Sequence, residues 1–288
     1  MDGHAYAYRA FHAIRQLSGP DGSPTNAIYG FIKMLGKMRA WLAPTHGVVI
    51  WDGGLSAERM AALPGYKAQR PSMPDGLASQ MDGIASYLNA AGIASWCQDG
   101  VEADDWIAAA ARRAAAQGVQ VVIASADKDF MQLVSPGIGL LNPNDKIERI
   151  WLAEEVIAKA GVQPEQIVDW LSLIGDAVDN IPGVPGVGPK TATNLLRQFG
   201  SIASLYERLA EVTSERVRHN LMEAASIVQR NRELIRLRDD AGAPFNLAET
   251  EFRAEDIDLL MKLYERWGFR SLRQALEVRM GPAQGELL

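Results

Sequence analysis

The sequence predicts an α/β fold with a mostly parallel central sheet flanked by helices, followed by a region made of helices. Two short apolar runs, GVVIW at 47–51 and QVVIAS at 120–125, have the length and composition of buried parallel strands. Helical patterns alternate with these runs, which is typical of a doubly wound sheet. After Trp151 only helical patterns follow. We therefore expect an α/β domain over 1–150 and a helical domain over 151–288.

The elements are predicted in chain order from local patterns. Asp2-Gly3 is typical of a strand end that turns into a helix, but the chain begins at Met1 and no strand precedes this pair. We therefore expect the sheet to lack its first central strand, either because the start lies upstream or because the chain was cut. A third strand is predicted at 93–97. Helices are predicted at 24–42, 78–91, 103–117, 129–134, 152–160, 164–174, 189–198, 201–209, 214–238 and 254–266.

Length and composition restrict the class of protein. With 288 residues and 48% hydrophobic content, the chain can bury a large core and should be globular and soluble. No apolar run reaches the roughly 18 residues of a membrane span, and the N-terminus lacks a signal pattern. Cys97 is the only cysteine, which excludes an intrachain disulfide and a thiolate zinc site. We expect a cytoplasmic protein with no membrane partner.

Nine carboxylates fall where a parallel sheet binds its ligands, outside the carboxyl ends of its strands. They are Asp2, Asp52, Glu102, Asp104, Asp105, Asp127, Asp129, Asp176 and Asp179. The run from Glu102 to Asp105 opens a predicted helix, and taken alone it is equally well explained by helix capping. The convergence of all nine acids on one sheet edge favours a binding site.

So many acids in one cleft require bound cations to offset their repulsion. Oxygen ligands without clustered His or Cys select Mg²⁺ or Mn²⁺, and a site this acidic has room for two ions. Such ions polarise a phosphodiester, so hydrolysis of that bond is expected. The chain has no Walker A or Rossmann motif for a nucleotide cofactor. Its formal charge of −6 becomes mildly basic once these nine acids are set aside, which is compatible with a nucleic-acid partner.

The stretch GDAVDNIPGVPGVGPKTA, at 175–192, combines two kinds of binding feature. Asp176 and Asp179 stand three apart, which on a helical turn would point both carboxylates the same way. The glycines and prolines that follow predict a tight turn with exposed amides, and the helix opening near Lys190 offers a positive dipole end to a phosphate. The alternative is an ordinary Gly/Pro-rich loop between two helices.

This stretch resembles the helix-three-turn-helix of the flap endonuclease family, as found in the 5′ nuclease domain of bacterial DNA polymerase I and its stand-alone relatives. The resemblance covers nearly the whole chain. It implies that seven acids, from Asp2 to Asp129, build an inner metal site, and that Asp176 and Asp179 extend it to a second one. Some relatives have lost this Asp-x-x-Asp pair, which the chain keeps, so we expect an active enzyme.

The run PGYKAQRPSMP, at 64–74, matches the base of the family's helical arch, expected here at about 54–90. By resemblance, Lys67 and Arg70 are catalytic and steady the scissile phosphate, while Tyr66 stacks on a nucleobase. Taken alone, this Lys and Arg at helical spacing would more often be solvated surface. Nearer to Asp52 the chain departs from the family, since Gly53, Gly54 and Arg59 replace a longer and more basic stretch.

Further DNA contacts and an ion site are implied by the same resemblance. Arg9 and Lys128 would contact phosphate, although Lys128 could instead balance the charge of its acidic neighbours. The helix-three-turn-helix, at about 173–200, would hold duplex DNA by its shape through Gly186, Val187, Gly188, Pro189, Lys190 and Thr191. A K⁺ ion is expected on the main-chain carbonyls of Leu173, Ile174, Pro182, Val184 and Val187.

The resulting prediction is a structure-specific 5′ nuclease, acting as a 5′-3′ exonuclease or flap endonuclease with two metal ions. Its partner would be branched, flapped or nicked duplex DNA, and it would be a cytoplasmic monomer in DNA replication and repair. Two alternatives remain: a DNA-binding module of the same fold that does not cleave, and a ribonuclease of the related PIN-like folds. We favour a stand-alone protein over the N-terminal portion of a polymerase, because no polymerase motif follows.

Overall fold

The computed structural model describes residues 1–280 and divides them into two compact units, each formed from separate stretches of chain. The first unit contains Met1–Trp51, Ser72–Trp96 and the described residues from Asn246 onward. The second unit contains Asp52–Pro71 and Cys97–Phe245. The end of the predicted helical domain, 281–288, lies outside the described residues.

Helices make up most of the regular structure. In chain order they are α1 (Gly3–Ala13), α2 (Asn26–Leu42), α3 (Ala57–Ala62), α4 (Asp75–Ala78), α5 (Met81–Ala90), α6 (Ala103–Ala116), α7 (Ala153–Ala160), α8 (Ile167–Ile174), α9 (Pro189–Phe199), α10 (Ile202–Glu207), α11 (Glu215–Glu223), α12 (Ala225–Ile235), α13 (Ile257–Arg266) and α14 (Arg270–Met280). Short 3₁₀ helices occupy Lys128–Leu133, Pro164–Gln166, Leu209–Glu211 and Leu247–Thr250.

The strands are short. They are β1 (Val48–Ile50), β2 (Ala94–Trp96), β3 (Val121–Ala124), β4 (Ile138–Leu141), β5 (Ile150–Trp151), β6 (Gly175–Asp176) and β7 (Ile181–Pro182). The first three were predicted from their apolar runs. The other four were not, because each is a short segment with no alternating pattern, and β5, β6 and β7 contain only two residues each.

In the first unit, β1 and β2 pair in parallel. Asp2 forms a parallel bridge with Ile50, whose amide donates to the Met1 carbonyl at 3.0 Å. Met1 and Asp2 thus pair beside β1 through a single bridge, and no strand precedes α1 in the described part of the chain, as expected from the Asp2-Gly3 pair. The 3₁₀ segment Leu247–Thr250 contacts the chain entering β1, where the Gly47 amide donates to the Thr250 carbonyl at 2.7 Å.

In the second unit, β3 pairs with β4 in parallel and β4 pairs with β5 in antiparallel fashion. The alanine-rich helix α6 packs against β3, and its buried Ala108 and Ala109 allow a close approach. Helix α8 packs against α9 and α12 with the fully buried Ile167 and Leu171. This arrangement places the end of β3, the start of α6 and the end of α8 within one unit.

One predicted helix is interrupted in the structure: the helix predicted at 214–238 is two helices, α11 and α12, that meet at Ala224. The helix predicted at 78–91 corresponds to α5 and begins three residues later, at Met81. None of the helices in the described part of the chain is both long and apolar enough to cross a membrane.

Candidate functional site

Three carboxylates meet in the second unit. Single oxygens of Asp129, Asp176 and Asp179 all lie within 4.8 Å of one another. One oxygen of Asp129, Oδ1, is buried and has no hydrogen-bond partner. Burial raises the pKa of Asp129 well above its ordinary value, and the negative charges of Asp127, Asp176, Asp104 and Asp179 raise it further. We call these five residues the acid cluster: Asp104, Asp127, Asp129, Asp176 and Asp179.

Local structure fixes how the acids are presented. Asp127 follows β3 and caps the 3₁₀ helix Lys128–Leu133, where its Oδ1 accepts the Asp129 amide at 2.9 Å. Asp176 ends β6, and its Oδ1 accepts the Val178 amide at 3.0 Å. Gly175 has φ of 76° and lies so close to the Gly183 backbone that a Cβ would clash, which permits the tight β6–β7 hairpin. Asp176 and Asp179 therefore converge across a hairpin turn, and the predicted helical turn is wrong.

Two cations of one backbone turn lie against the acid cluster. Lys67 donates to Glu102 and lies 3.5 Å from Asp104. Arg70 donates to Asp179 at 2.5 Å. Both belong to residues 64–70, which we call the basic turn. The basic turn is not a helix, because Lys67 adopts the left-handed region with φ of 53° while its amide donates to the Asp179 carbonyl at 3.0 Å.

Burial distinguishes the basic turn from the exposed surface that its sequence would suggest. Lys67 and Tyr66 are each only 4% exposed, and the Tyr66 hydroxyl donates to Glu102 at 3.1 Å. Little of the Tyr66 ring is accessible to a nucleobase, so this placement does not support the predicted stacking role. Arg70 keeps 38% of its side chain exposed. It is therefore the more accessible of the two cations.

Lys67 and Glu102 shift each other's pKa in opposite directions. Burial alone would lower the pKa of Lys67, but the charges of Asp104, Glu102 and Asp179 raise it above its ordinary value. Burial alone would raise the pKa of Glu102, but Lys67 and Arg59 lower it below its ordinary value. Each charged form is therefore stabilised by the other.

Asn180 joins the basic turn to the β6–β7 hairpin. Its Nδ2 donates to the Gly65 carbonyl at 2.8 Å, and its Oδ1 accepts from Gln69 at 3.3 Å. Asn180 itself has φ of 57°. The sequence patterns did not single out this residue. Its signal was available, because Asn next to a turn is among the few residues that adopt this backbone readily.

Two predicted metal ligands, Asp105 and Glu102, are buried and accept hydrogen bonds from protein groups. Both oxygens of Asp105 accept from the buried Arg59, at 2.7 and 2.8 Å. Glu102 accepts from the Ser56 amide at 3.0 Å as well as from Tyr66 and Lys67. Asp105 and Glu102 thus lie close to Asp104 of the acid cluster in sequence, but their oxygens accept hydrogen bonds from protein donors.

The remaining predicted contacts are distributed as follows. Asp52 accepts the Gly54 amide at 2.9 Å. Lys128 lies 3.1 Å from Asp176, so it balances a carboxylate of the acid cluster. Asp2 caps α1 by accepting the Ala5 amide at 2.9 Å, and Asp2 belongs to the first unit with the half-buried Arg9.

The predicted duplex-binding segment ends in a helix with an uncapped N-terminus. Helix α9 begins at Pro189 after the N-cap Gly188, and no side chain of that cap accepts from its first amides. Gly186 has φ of 76°, which a turn at this point requires, and Val187 is buried. Lys190 is exposed in the first turn of α9. Free amides, a dipole and a lysine together suit a phosphate.

The carbonyls predicted to hold K⁺ lie at the end of α8, on the hairpin and in the following turn. The Leu173 carbonyl accepts the Val184 amide at 2.8 Å, and the Val184 carbonyl accepts the Val187 amide at 3.0 Å. The Pro182 carbonyl accepts from Asn231 at 2.7 Å. Ile174 is the last residue of α8.

The acid cluster has the donor chemistry of a divalent metal site. Its ligands are carboxylates alone, a set that suits hard cations, and the buried Asp129 Oδ1 lacks the hydrogen bond that a buried oxygen requires. A bound cation would satisfy this oxygen and offset the repulsion that raises the pKa of Asp129.

Comparison with known proteins identifies two matching family domains and several similar proteins. Residues 1–161 match the family described as 5′-3′ exonuclease, N-terminal resolvase-like domain, and residues 162–258 match the 5′-3′ exonuclease, C-terminal SAM fold. The chain is 35% identical to a 5′-3′ exonuclease of Aquifex aeolicus, with 96% of this chain and 94% of that protein covered. It is 37% identical to DNA polymerase I of Bacillus caldotenax, of which it spans only 32% while 96% of this chain is covered.

Among solved structures, the chain is similar to the T5 5′-exonuclease with bound zinc. The TM-score is 0.69 at 21% identity, with 96% of each chain covered, so this similarity concerns the fold. The predicted α/β fold with a helical C-terminal part is confirmed by the matched domains and by this neighbour. From the match over both domains and the identity to a full-length relative, the chain belongs to the 5′-3′ exonuclease family.

Proposed function

We propose that this protein is a metal-dependent 5′ nuclease that hydrolyses phosphodiesters of DNA. The observation that carries the proposal is the convergence of Asp129, Asp176 and Asp179 beside Lys67 and Arg70 within one unit. Acids that bind cations and side chains that bind phosphate are thereby adjacent. The name of the Aquifex aeolicus relative, a 5′-3′ exonuclease, supports the same activity.

The acid cluster would hold the ions, which we propose to be two Mg²⁺ or Mn²⁺. Asp129, Asp176 and Asp179 are the central ligands, with Asp104 and Asp127 beside them. When bound, such ions polarise the phosphodiester and stabilise the charge that develops on its oxygens. The T5 5′-exonuclease binds divalent zinc ions in its solved structure, which supports a metal site in this fold.

Arg70 would bind the scissile phosphate, and the buried Lys67 would stabilise its negative charge from beside the acid cluster. Lys67 is held rigidly by Glu102 and by its own backbone, so it offers a fixed positive charge at little conformational cost. Arg70 is partly exposed and can present two N–H groups to phosphate oxygens. Cleavage would leave a 5′-phosphate and a 3′-hydroxyl.

The start of α9 would hold the duplex next to the cleavage point. Its free amides and Lys190 contact backbone phosphates without reading bases, so recognition follows the shape of branched, flapped or nicked DNA. We further propose that K⁺ binds the carbonyls of the hairpin region and steadies the turn at Gly186. We also propose that the protein is a monomer and acts in the cytoplasm. A role in DNA replication and repair is supported by the name of the Bacillus caldotenax relative, DNA polymerase I.

A labelled 5′-flap duplex incubated with Mg²⁺ tests this function. The wild-type protein should release short products, and Asp179→Asn should slow their release at least 100-fold because it removes a central ligand. Asp256→Asn is the matched control, since Asn still caps α13 and the residue lies outside the acid cluster. Duplex binding without any product would identify a non-cleaving module instead. A preference for single-stranded RNA would point to a PIN-like ribonuclease.

A further inference from the structure

Arg59 is the most completely buried arginine near the acid cluster, with only 7% of its surface exposed. Its guanidinium donates to both oxygens of Asp105, at 2.7 and 2.8 Å, and lies 3.2 Å from Glu102. Its remaining N–H groups donate to the carbonyls of Leu234 at 2.9 Å and Arg236 at 3.3 Å. Every nitrogen of this side chain is thus used inside the protein, and none is directed at a nucleic acid.

Asp105 is satisfied in the same way. Its Oδ1 accepts from Arg59 and from the Arg238 amide at 2.9 Å, and its Oδ2 accepts from Arg59. A metal ligand must offer a free oxygen lone pair to the ion, and Arg59 with the Arg238 amide occupies most of the roughly four acceptor sites of this carboxylate. Asp105 is also absent from the three acids whose oxygens converge.

Glu102 connects this pair to the basic turn. Its Oε1 faces Arg59 and accepts the Ser56 amide, while its Oε2 accepts from Tyr66 and Lys67. A continuous path of charged contacts therefore runs from Asp105 through Arg59 and Glu102 to Lys67. Because each partner is buried, a change at one end alters the position available at the other.

We propose that Arg59, Asp105 and Glu102 form a buried clamp that positions Lys67 at the acid cluster, and that Asp105 does not bind metal. The second part departs from the metal-ligand role that the family resemblance implies for Asp105. The inference rests on the proposed function only in that Lys67 acts on the substrate. Arg59 and Asp105 are positioning residues, since each acts through Glu102.

The first test measures metal binding without any reaction. Mn²⁺ titrations of the full chain, followed by the paramagnetic resonance of the free ion, should give Asp105→Asn an affinity within about twofold of wild type. Asp179→Asn should lose at least tenfold, as expected for a central ligand. A tenfold or greater loss in Asp105→Asn would overturn the proposal, because it would make this carboxylate a ligand.

The second test measures the position of Lys67 directly. Brief acylation with acetic anhydride, read by peptide mass spectrometry, should label Lys67 poorly in wild type and at least several-fold more in Asp105→Asn and Arg59→Lys. The exposed Lys159 and Lys190 serve as internal controls whose labelling should not change. Arg59→Lys keeps the positive charge but loses the bidentate contact with Asp105, so it provides the same test if Asp105→Asn folds poorly. Unchanged labelling of Lys67 in folded variants would refute the clamp.

The third test is a rate cycle on the 5′-flap substrate. Asp105→Asn should slow single-turnover cleavage roughly tenfold or more in the wild-type background, since displacing a catalytic group by about 1 Å can cost up to 100-fold. In a Lys67→Ala background the same change should have almost no further effect. A purely structural role would slow both backgrounds by the same factor, which would count against positioning. If the wild type does not cleave, the proposed function fails, while Mn²⁺ binding and acylation still decide the clamp.

Discussion

Asp129 is a carboxylate of the acid cluster whose pKa is raised both by burial and by neighbouring negative charges. Its Oδ1 is buried without a hydrogen bond, and four neighbouring carboxylates raise its pKa together with burial. We expect Asp129→Asn to stabilise the protein in EDTA by about 1 kcal/mol at a pH at which Asp129 is ionised, because it then removes a buried like charge. The same variant should lose the stabilisation that Mg²⁺ gives the wild type, about 2.7 kcal/mol at 100 times the dissociation constant.

Differential scanning calorimetry with and without Mg²⁺ measures both effects of this change. Asp258→Asn removes an exposed carboxylate from the first turn of α13 and is the matched control. It should leave the Mg²⁺ response intact. An Asp129→Asn protein that is still stabilised by Mg²⁺ as strongly as wild type would show that the acid cluster is not the metal site.

Arg70 tests the second half of the site. We expect Arg70→Ala to lower the single-turnover rate by about 10² to 10³, because a positioned cation at the developing charge contributes on that scale. Its folding stability should change by roughly 1 kcal/mol, since the arginine is 38% exposed to screening water while its partner Asp179 is largely buried. Arg208→Ala, which removes an arginine of comparable exposure from its pair with Glu211, is the control and should cleave at the wild-type rate. Equal rates for the two variants would remove Arg70 from the mechanism.

Among these residues, the sequence predicted the convergence of Asp176 and Asp179 but not the backbone that presents them. The three-residue spacing of Asp176 and Asp179 indicated convergence, and the structure brings their oxygens together on a hairpin turn. The capture of Asp105 by Arg59 had no sequence signal, because the two residues are 46 positions apart and neither lies in a recurrent pattern. Long-range pairing of buried charges depends on the fold and cannot be read from spacing.

Among the elements, α9 carries the clearest functional consequence. Its N-terminus has no side-chain cap and Lys190 stands in its first turn. We expect Lys190→Ala to weaken binding of a nicked duplex and to reduce the slope of log affinity against log salt by about 1, since one phosphate contact is lost. Fluorescence anisotropy over a range of KCl concentrations measures both. Lys159→Ala, on the exposed face of α7, should change neither quantity. A salt slope identical to wild type in Lys190→Ala would exclude a phosphate contact there.

The sequence predicted helices more reliably than the smaller strands. Helix α9 was predicted within one residue, and the residues at its ends, Pro189 after Gly188 and Gly200, are typical of a helix start and a helix end. The antiparallel strand β5 was missed because two residues carry no periodicity, and its pairing with β4 depends on a turn with no hairpin dipeptide. Tertiary pairing defines these strands.

On the scale of the whole molecule, the C-terminal part of the chain returns to the first unit. The Arg253 amide donates to the Gly92 carbonyl at 2.9 Å, and the Phe269 ring lies 5.1 Å from that of Tyr29. The helical texture of the sequence had assigned residues from 246 onward to a C-terminal helical domain, and the linear boundary near residue 150 remains a prediction. A helical pattern shows which face of a segment is buried, but it does not show which unit that face packs against.

Removal of the residues after Phe245 should destabilise the first unit. A chain ending at Phe245 retains every candidate site residue but lacks Leu260, Tyr264 and Phe269, each at least 93% buried in the first unit. Burial of one such side chain contributes about 1.5–3 kcal/mol, and a whole domain is stable by only about 5–15 kcal/mol. We therefore expect the first unit of the truncated chain to unfold. Hydrogen exchange should show lost protection of α2 and β1 amides, with β3 and β4 amides of the second unit as the internal reference. Full protection of α2 and β1 in the truncated chain would mean that the returning helices do not support the first unit, and that its core is complete without them.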